Sequence, residues 1–222
     1  MSNAPRLSRS FAVRGEKLAA LRLAHGWTPI EAARRAELSE HLIRHAESGG
    51  PLKTKAIPAL AWLYRTKELQ LKPEDLLANP ADLQVASEPS PLLAARVQQW
   101  FDGQWNHFNL DVIDELAIPD FVYYTEADVI RGAQEMKQRV LSFRESFGDF
   151  DIVADDVRDL GDAIAVQWRA AITHIGPWLG MAATGRRIAF RGSSWVQLVG
   201  EKFGDAWDFW DPGVIFAALT KP

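Results

Sequence analysis

Two stretches in the last third of the chain gather residue types able to move protons. Between Ala163 and Ile175, alternation puts Ile164, Val166, Trp168, Ala170, Ile172 and His174 on one face of a strand, so an imidazole ends an otherwise apolar surface. Between Phe203 and Asp211, the same rule groups Phe203, Asp205, Trp207, Phe209 and Asp211, interleaving two carboxylates with aromatic rings. A carboxylate beside aromatic walls has its pKa pushed upward, which makes it a usable base near neutral pH. The same residues also read as a satisfied core or turn histidine and as aspartates flanking a strand end in solvent. The chain has no cysteine, which excludes disulfides, thiolate zinc sites and a cysteine nucleophile. His41 and His45 stand one helical turn apart without an evident third ligand, so they read as an outward-facing or solvated pair, and no metal or cofactor is expected.

The elements that must position these groups follow from local signals. Ser90-Pro91 supplies an N-cap and a first-position proline, after which Leu93, Val97, Trp100 and Phe101 share a helix face. Further helices are predicted over 111–116 and 133–147. Strands are predicted over 121–125, 152–159, 163–175, 187–199 and 202–210, with turns at Gly161-Asp162, Thr184-Gly185 and Gly200-Glu201. Helices followed by hairpins imply an α+β domain with a curved antiparallel sheet and helices on one face. Seven of the nine tryptophans lie after residue 90, namely Trp100, Trp105, Trp168, Trp178, Trp195, Trp207 and Trp210, a density that favours a lined cavity.

The first 80 residues read differently. Thr28 caps a helix with Pro29 at its first position and Glu31 three residues on, as a capping box requires. Ser39 caps the next helix, in which Ile43 and Ala46 point inward while Glu40, His41, Arg44 and Ser48 point out, and Gly49-Gly50-Pro51 stops it. Two short helices joined by a tight turn, the second with a polar outer face, is how a helix-turn-helix presents a recognition helix to the major groove. Helices over 57–64 and 73–77 complete an all-α bundle.

Charge divides the same way. Residues 1–80 hold 13 Lys+Arg against 8 Asp+Glu and residues 81–222 hold 12 against 21, so the parts carry +5 and −9. Only the first is suited to a polyanion. Residues 79–91, with three prolines and little apolar periodicity, read as a linker. The expected organisation is therefore residues 1–78 as a DNA-binding domain, 79–91 as the linker and 92–222 as the pocket domain. No stretch has the length and apolarity of a signal peptide or membrane span, so a cytoplasmic protein with no membrane partner is expected.

Leu18-x-x-Leu21-Arg22, Thr28-x-x-Glu31-Ala32-Ala33, Leu38-Ser39 and Ile43-x-x-x-Glu47-x-Gly49 together resemble the Cro/lambda-repressor-like (XRE) family over residues 15–77. The resemblance implies double-stranded DNA as a partner, with Glu40, His41 and Arg44 facing base edges and Arg34, Ser39 and Lys53 reaching phosphates. The family usually has a backbone-binding glutamine after the cap of the second helix; Pro29 has no such donor, which implies weaker phosphate contact. The alternative is a bundle kept for dimerisation or protein contact.

Thr173-His174-x-Gly176, Gly180, Ala183-Thr184-Gly185-Arg186-Arg187 and Asp205-Ala206-Trp207-x-x-x-Asp211 are similar to SnoaL-like polyketide cyclases, cone-shaped barrels of the nuclear transport factor 2-like superfamily. That resemblance implies acid/base work by His174 and Asp211 if the domain is enzymatic. It also implies a pocket whose walls include Trp100, Phe108, Tyr123 and Phe143 together with Trp168, Trp195 and Trp207, in which His174 and Asp211 orient a small apolar or polyketide-like ligand. The leading expectation is a homodimeric transcriptional regulator in which this pocket senses the ligand. The alternatives are an active cyclase, isomerase or hydrolase, and a scaffold that only dimerises the head.

Overall fold

The computed structural model describes residues 9–83, 88–126 and 128–220. The chain divides into two units, Met1–Ser87 with Arg158–Ile164, and Glu88–Val157 with Ala165–Pro222. Of the expected linker, residues 84–87 lie outside the described residues and Pro80–Leu83 forms a 3-10 turn.

The first unit contains β1 (Ser10–Phe11), α1 (Gly15–Ala24), α2 (Pro29–Arg35), α3 (Glu40–Glu47), β2 (Leu52–Lys53), α4 (Ala56–Tyr64) and a 3-10 turn at Pro73–Leu76. Thr28 Oγ1 accepts from Glu31 N at 3.3 Å while Glu31 Oε2 accepts from Thr28 N at 2.8 Å, closing the capping box that starts α2. Ser39 Oγ accepts from Leu42 N at 3.2 Å and starts α3, which buries Ile43 and Ala46. Between the two helices Glu37 takes a left-handed φ of 55°. Arg22 of α1 clamps α3: its Nε and Nη2 donate to the two carboxylate oxygens of Glu47 at 2.5 and 3.0 Å, and its Nη1 donates to Trp27 O at 2.7 Å. The unit is not purely helical. β1 pairs antiparallel with β2, Val13 bridges Leu77, and Arg14 N and Ala78 N donate to Leu76 O and Ala12 O. Strands of two residues have no alternation to read, so these backbone pairings left no trace in the pattern.

The second unit runs α5 (Pro91–Phe101), a π turn (Asp102–Asn106), α6 (Asp111–Leu116), β3 (Val122–Tyr124), β4 (Val129–Arg131), α7 (Gly132–Ser146), β5 (Phe147–Asp159), β6 (Ala163–His174), β7 (Arg187–Val199), β8 (Lys202–Trp210) and α8 (Gly213–Thr220), with the end of β5 and the start of β6 (Arg158–Ile164) grouped with the first unit. Ser90 Oγ caps α5 by accepting from Leu93 N at 3.2 Å. The sheet order is β4-β3-β8-β7-β6-β5. Instead of the purely antiparallel sheet expected, it is mixed, because β3 lies parallel to β8, with Tyr123 opposite Ala206. These strands meet after a long excursion through α7 and β5 to β7 rather than across a hairpin, and local turn signals say nothing about such a pairing. The short β4 and the closing α8 were not anticipated. β5 is an edge strand whose outer backbone groups are taken by amides. Asn106 exchanges two bonds of 2.9 Å with Ile152, and Gln98 donates to Ile152 O at 3.3 Å and accepts from Ala154 N at 3.1 Å.

Candidate functional site

Register gathers a chain of polar groups on the sheet face against which Phe101 of α5 packs, its ring 6.4 Å from Trp168. Asp208 of β8 stands opposite Ser194 of β7, two residues beyond Ala206, the partner of Tyr123. Ser194 Oγ donates to Asp208 Oδ1 at 2.5 Å, the Tyr123 hydroxyl donates to Asp208 Oδ2, and Trp168 Nε1 donates to Ser194 Oγ at 2.9 Å. The indole reaches across β7 because residue 192 is glycine: a Cβ there would lie 2.3 Å from the Trp168 ring. Phe190 and Trp210 continue the aromatic surround, at 6.0 Å from Trp168 and 5.1 Å from Phe190 respectively.

Burial pushes the Asp208 carboxyl up from 3.8 to about 6, against the opposing pull of the hydrogen bonds from Ser194 and Tyr123. Burial, and then the charge of Asp208, raises the Tyr123 phenol well above its ordinary value, so Tyr123 remains a donor. A carboxylate titrating about one unit below neutrality, fixed by two hydroxyls, can accept a proton from a guest or bind its hydroxyl or cationic group.

The residues expected to form the site are only partly brought together. Tyr123 and Trp168 belong to this network. His174 is fully buried, with Nδ1 accepting from Thr184 N at 3.2 Å, its ring centroid 5.4 Å from that of Phe147. Asp211 is exposed, accepts from Gly213 N at 2.8 Å and begins α8; among the described contacts no hydrogen bond joins it to His174. The expected pair is therefore corrected: β8 ends at Trp210, and alternation does not extend to a residue past the strand. Asp205 is a sheet residue, accepting from Val122 N at 3.0 Å. Trp195 and Trp207 are opposite each other in the register and so occupy the face away from Asp208, where Trp207 stacks on Tyr124 at 5.1 Å. Phe108 is 46% exposed beneath the Arg144 guanidinium, 4.5 Å from its ring, and is not a wall of this network. Trp100 packs edge-on to Phe121 and Phe203, and Phe143 packs against Trp105 and Phe147. Asp208 and Ser194 were missed. The available signal was a carboxylate in the middle of an aromatic strand rather than at its end.

In the first unit Arg34, Ser39, His41, Arg44 and Lys53 are exposed. Glu40 is half-buried and paired within α3, 2.7 Å from Arg44 Nη2. His41 and His45 stack at 6.3 Å while His45 Nε2 lies 3.2 Å from Pro51 O, and among the described residues no three side chains are grouped to hold a metal ion. Among the described residues no helix is long and apolar enough to cross a membrane.

The second unit's architecture and sequence coincide with a known family. The SnoaL-like polyketide cyclase family matches residues 95–219, more than half of the chain, and the chain belongs to that family. Similar solved structures include a SnoaL-like protein of Jannaschia sp. CCS1 (22% identity, TM-score 0.55, 61% of this chain and 99% of that one). IdmH from Streptomyces antibioticus follows at 19% identity and TM-score 0.51, over 58% of this chain and 99% of its own. A protein of ketosteroid isomerase-like fold from Catenulispora acidiphila DSM 44928, solved with trimethylamine, matches at 13% identity and TM-score 0.50, over 61% and 96%. At these identities the likeness is one of fold. No curated protein matches the chain.

Proposed function

We propose that the protein is a DNA-binding transcriptional regulator whose SnoaL-like domain binds a small, largely apolar ligand around Asp208. The observation that carries the reading is the arrangement of α3. Ser39 starts it, the Arg22–Glu47 clamp fixes its inner side, and His41 and Arg44 stand exposed on its outer side in a segment of charge +5. Arg34 and Lys53 flank it as phosphate contacts, and a homodimer would supply the two half-sites that such modules need. The test is selection of bound duplexes from a random library by the full chain at low salt. A recurring, two-fold related motif is expected, and no enrichment would reject DNA recognition.

Asp208 specifically supports a second reading, acid/base catalysis of a cyclase or isomerase type. A carboxyl raised to about 6 beside a phenol that keeps its proton has the protonation states such chemistry uses. Turnover of polyketide-like substrates that rises with pH through about 6 and is abolished by Asp208→Asn would favour that reading over sensing.

A further inference from the structure

We infer that Gln104 is a ligand contact of the second unit and that its ligand presents a hydrogen-bond donor and acceptor side by side, as a carboxamide or lactam does. This rests on the reading that the unit binds a small molecule, and it adds the polar edge which that molecule carries.

Four amides lie along α5 and its π turn, and Gln99 is exposed. Gln98 and Asn106 are engaged with the edge of β5 through both ends of their side chains. Gln104 is fully buried, and among the described residues neither its Nε2 nor its Oε1 has a hydrogen-bond partner. It continues the inner stripe of the helix, after Leu93, Val97 and Phe101, and Phe101 is the residue that packs against Trp168 of the Asp208 network. A buried amide with both ends unmet opposes folding, whereas leucine or methionine at this position would extend the stripe without penalty. π turns recur where a helix gives up regular geometry to aim a functional side chain.

A second unmet group lies on the same strand face as Trp168. Thr184 N–H donates to His174 Nδ1, so the neutral imidazole carries its proton on Nε2, and that donor is buried without an acceptor. Two separate elements thus bury unmet polar atoms in the unit that carries the Asp208 network. This is how a pocket recognises an oxygenated or nitrogenous edge on an apolar body.

The experiment compares 2-naphthamide with 2-methylnaphthalene as calorimetric ligands of the full chain, using wild type, Gln104→Met and Gln104→Leu, and records melting temperatures without ligand. The expectation is that wild type binds the amide about ten- to a hundredfold more tightly than the hydrocarbon. Both variants should lose that preference while retaining hydrocarbon binding, and both should melt above wild type. Equal binding of the two probes by wild type would overturn the inference and leave the small-molecule reading standing. Binding of neither would overturn both. If both variants melt below wild type and keep the preference, the Gln104 amide is structural and the inference fails.

Discussion

In the first unit Arg22 and Glu47 satisfy each other across α1 and α3, while His41 and Arg44 face outward from α3. In the second unit Asp208 is buried with two hydroxyls instead of a cation, and Gln104 and His174 Nε2 are buried without a partner among the described residues. A charge that meets its counter-charge braces a fold and does nothing further. A carboxylate held by neutral donors keeps a titration point within reach of solution conditions and keeps capacity for another molecule. The proposed function uses this contrast, the outside of one unit and the inside of the other.

The brace offers the largest expected effect. Glu47→Leu leaves the Arg22 guanidinium, only 11% exposed, without its partner, and should cost about 3–5 kcal/mol of stability in the first unit. Arg22→Met in the Glu47→Leu background should recover most of that loss, since two apolar side chains leave no unpaired charge. Denaturant unfolding of the single and double variants measures both, and a single-variant loss well under 1 kcal/mol would reduce the clamp to an ordinary surface pair.

The same comparison predicts a pH signature from the other unit. The folded pKa of Asp208, about 6, lies above its ordinary value of 3.8, so folding holds this proton more tightly than the unfolded chain does. The group therefore imposes no penalty below about pH 4, an increasing one as pH rises through 6, and a full one of about 3 kcal/mol above it. Asp208→Asn removes the titration, so the variant should gain on wild type by about that amount between pH 4 and pH 7. Urea midpoints at the two pH values decide the point: parallel shifts in the two proteins would mean that Asp208 does not titrate in this window.

Legibility in the sequence followed how local each feature is. Thr28-Pro29-x-Glu31, Ser39 and Ser90-Pro91 start their helices as their caps imply, because a cap is satisfied within four residues. The alternation of β6 and the turn at Gly161-Asp162 are equally local. The candidate site depended on register between strands. Starting the β8 alternation at Phe203 emphasised Asp205 and Asp211 and passed over Asp208, whose significance comes from standing opposite Ser194 and beside Tyr123. Trp168 and Trp207 read as one wall until pairing placed them on opposite faces. Gln104 lies three residues past Phe101 on the stripe of Leu93, Val97 and Phe101, but a polar side chain in the run Asp102 to Asn106 gives no sign in the sequence that it is buried.

The outer face of α3 should respond to substitution in the opposite sense from the brace. Arg44 is 64% exposed and its pair with Glu40 lies within one helix, so Arg44→Ala should change stability by only about 0.3–0.5 kcal/mol. If α3 docks in the major groove as proposed, the same change should cost about 1–3 kcal/mol against the selected duplex. Fluorescence anisotropy beside a thermal melt separates the two quantities. Loss of binding that merely tracks loss of folding would remove Arg44 from the interface.

The smallest effect tests the turn that aims α3. Glu37 lies between the end of α2 and Ser39 with φ at 55°, a region that a side chain with a Cβ enters at a cost of about 1–2 kcal/mol and glycine enters freely. In the second unit Asp149 takes a comparable φ of 48° within β5, but aspartate visits this region more readily than glutamate. Glu37→Gly should therefore stabilise the first unit by about 0.5–1 kcal/mol, once the extra freedom that glycine gives the unfolded chain is set against the relief of strain. Asp149→Gly should give less or nothing. Since Glu37 is exposed, its side chain contributes little packing that the substitution would remove. Thermal denaturation of the two variants checks both. A destabilised Glu37→Gly would mean that the glutamate side chain holds the turn, and that the angle presenting α3 depends on a contact rather than on backbone geometry.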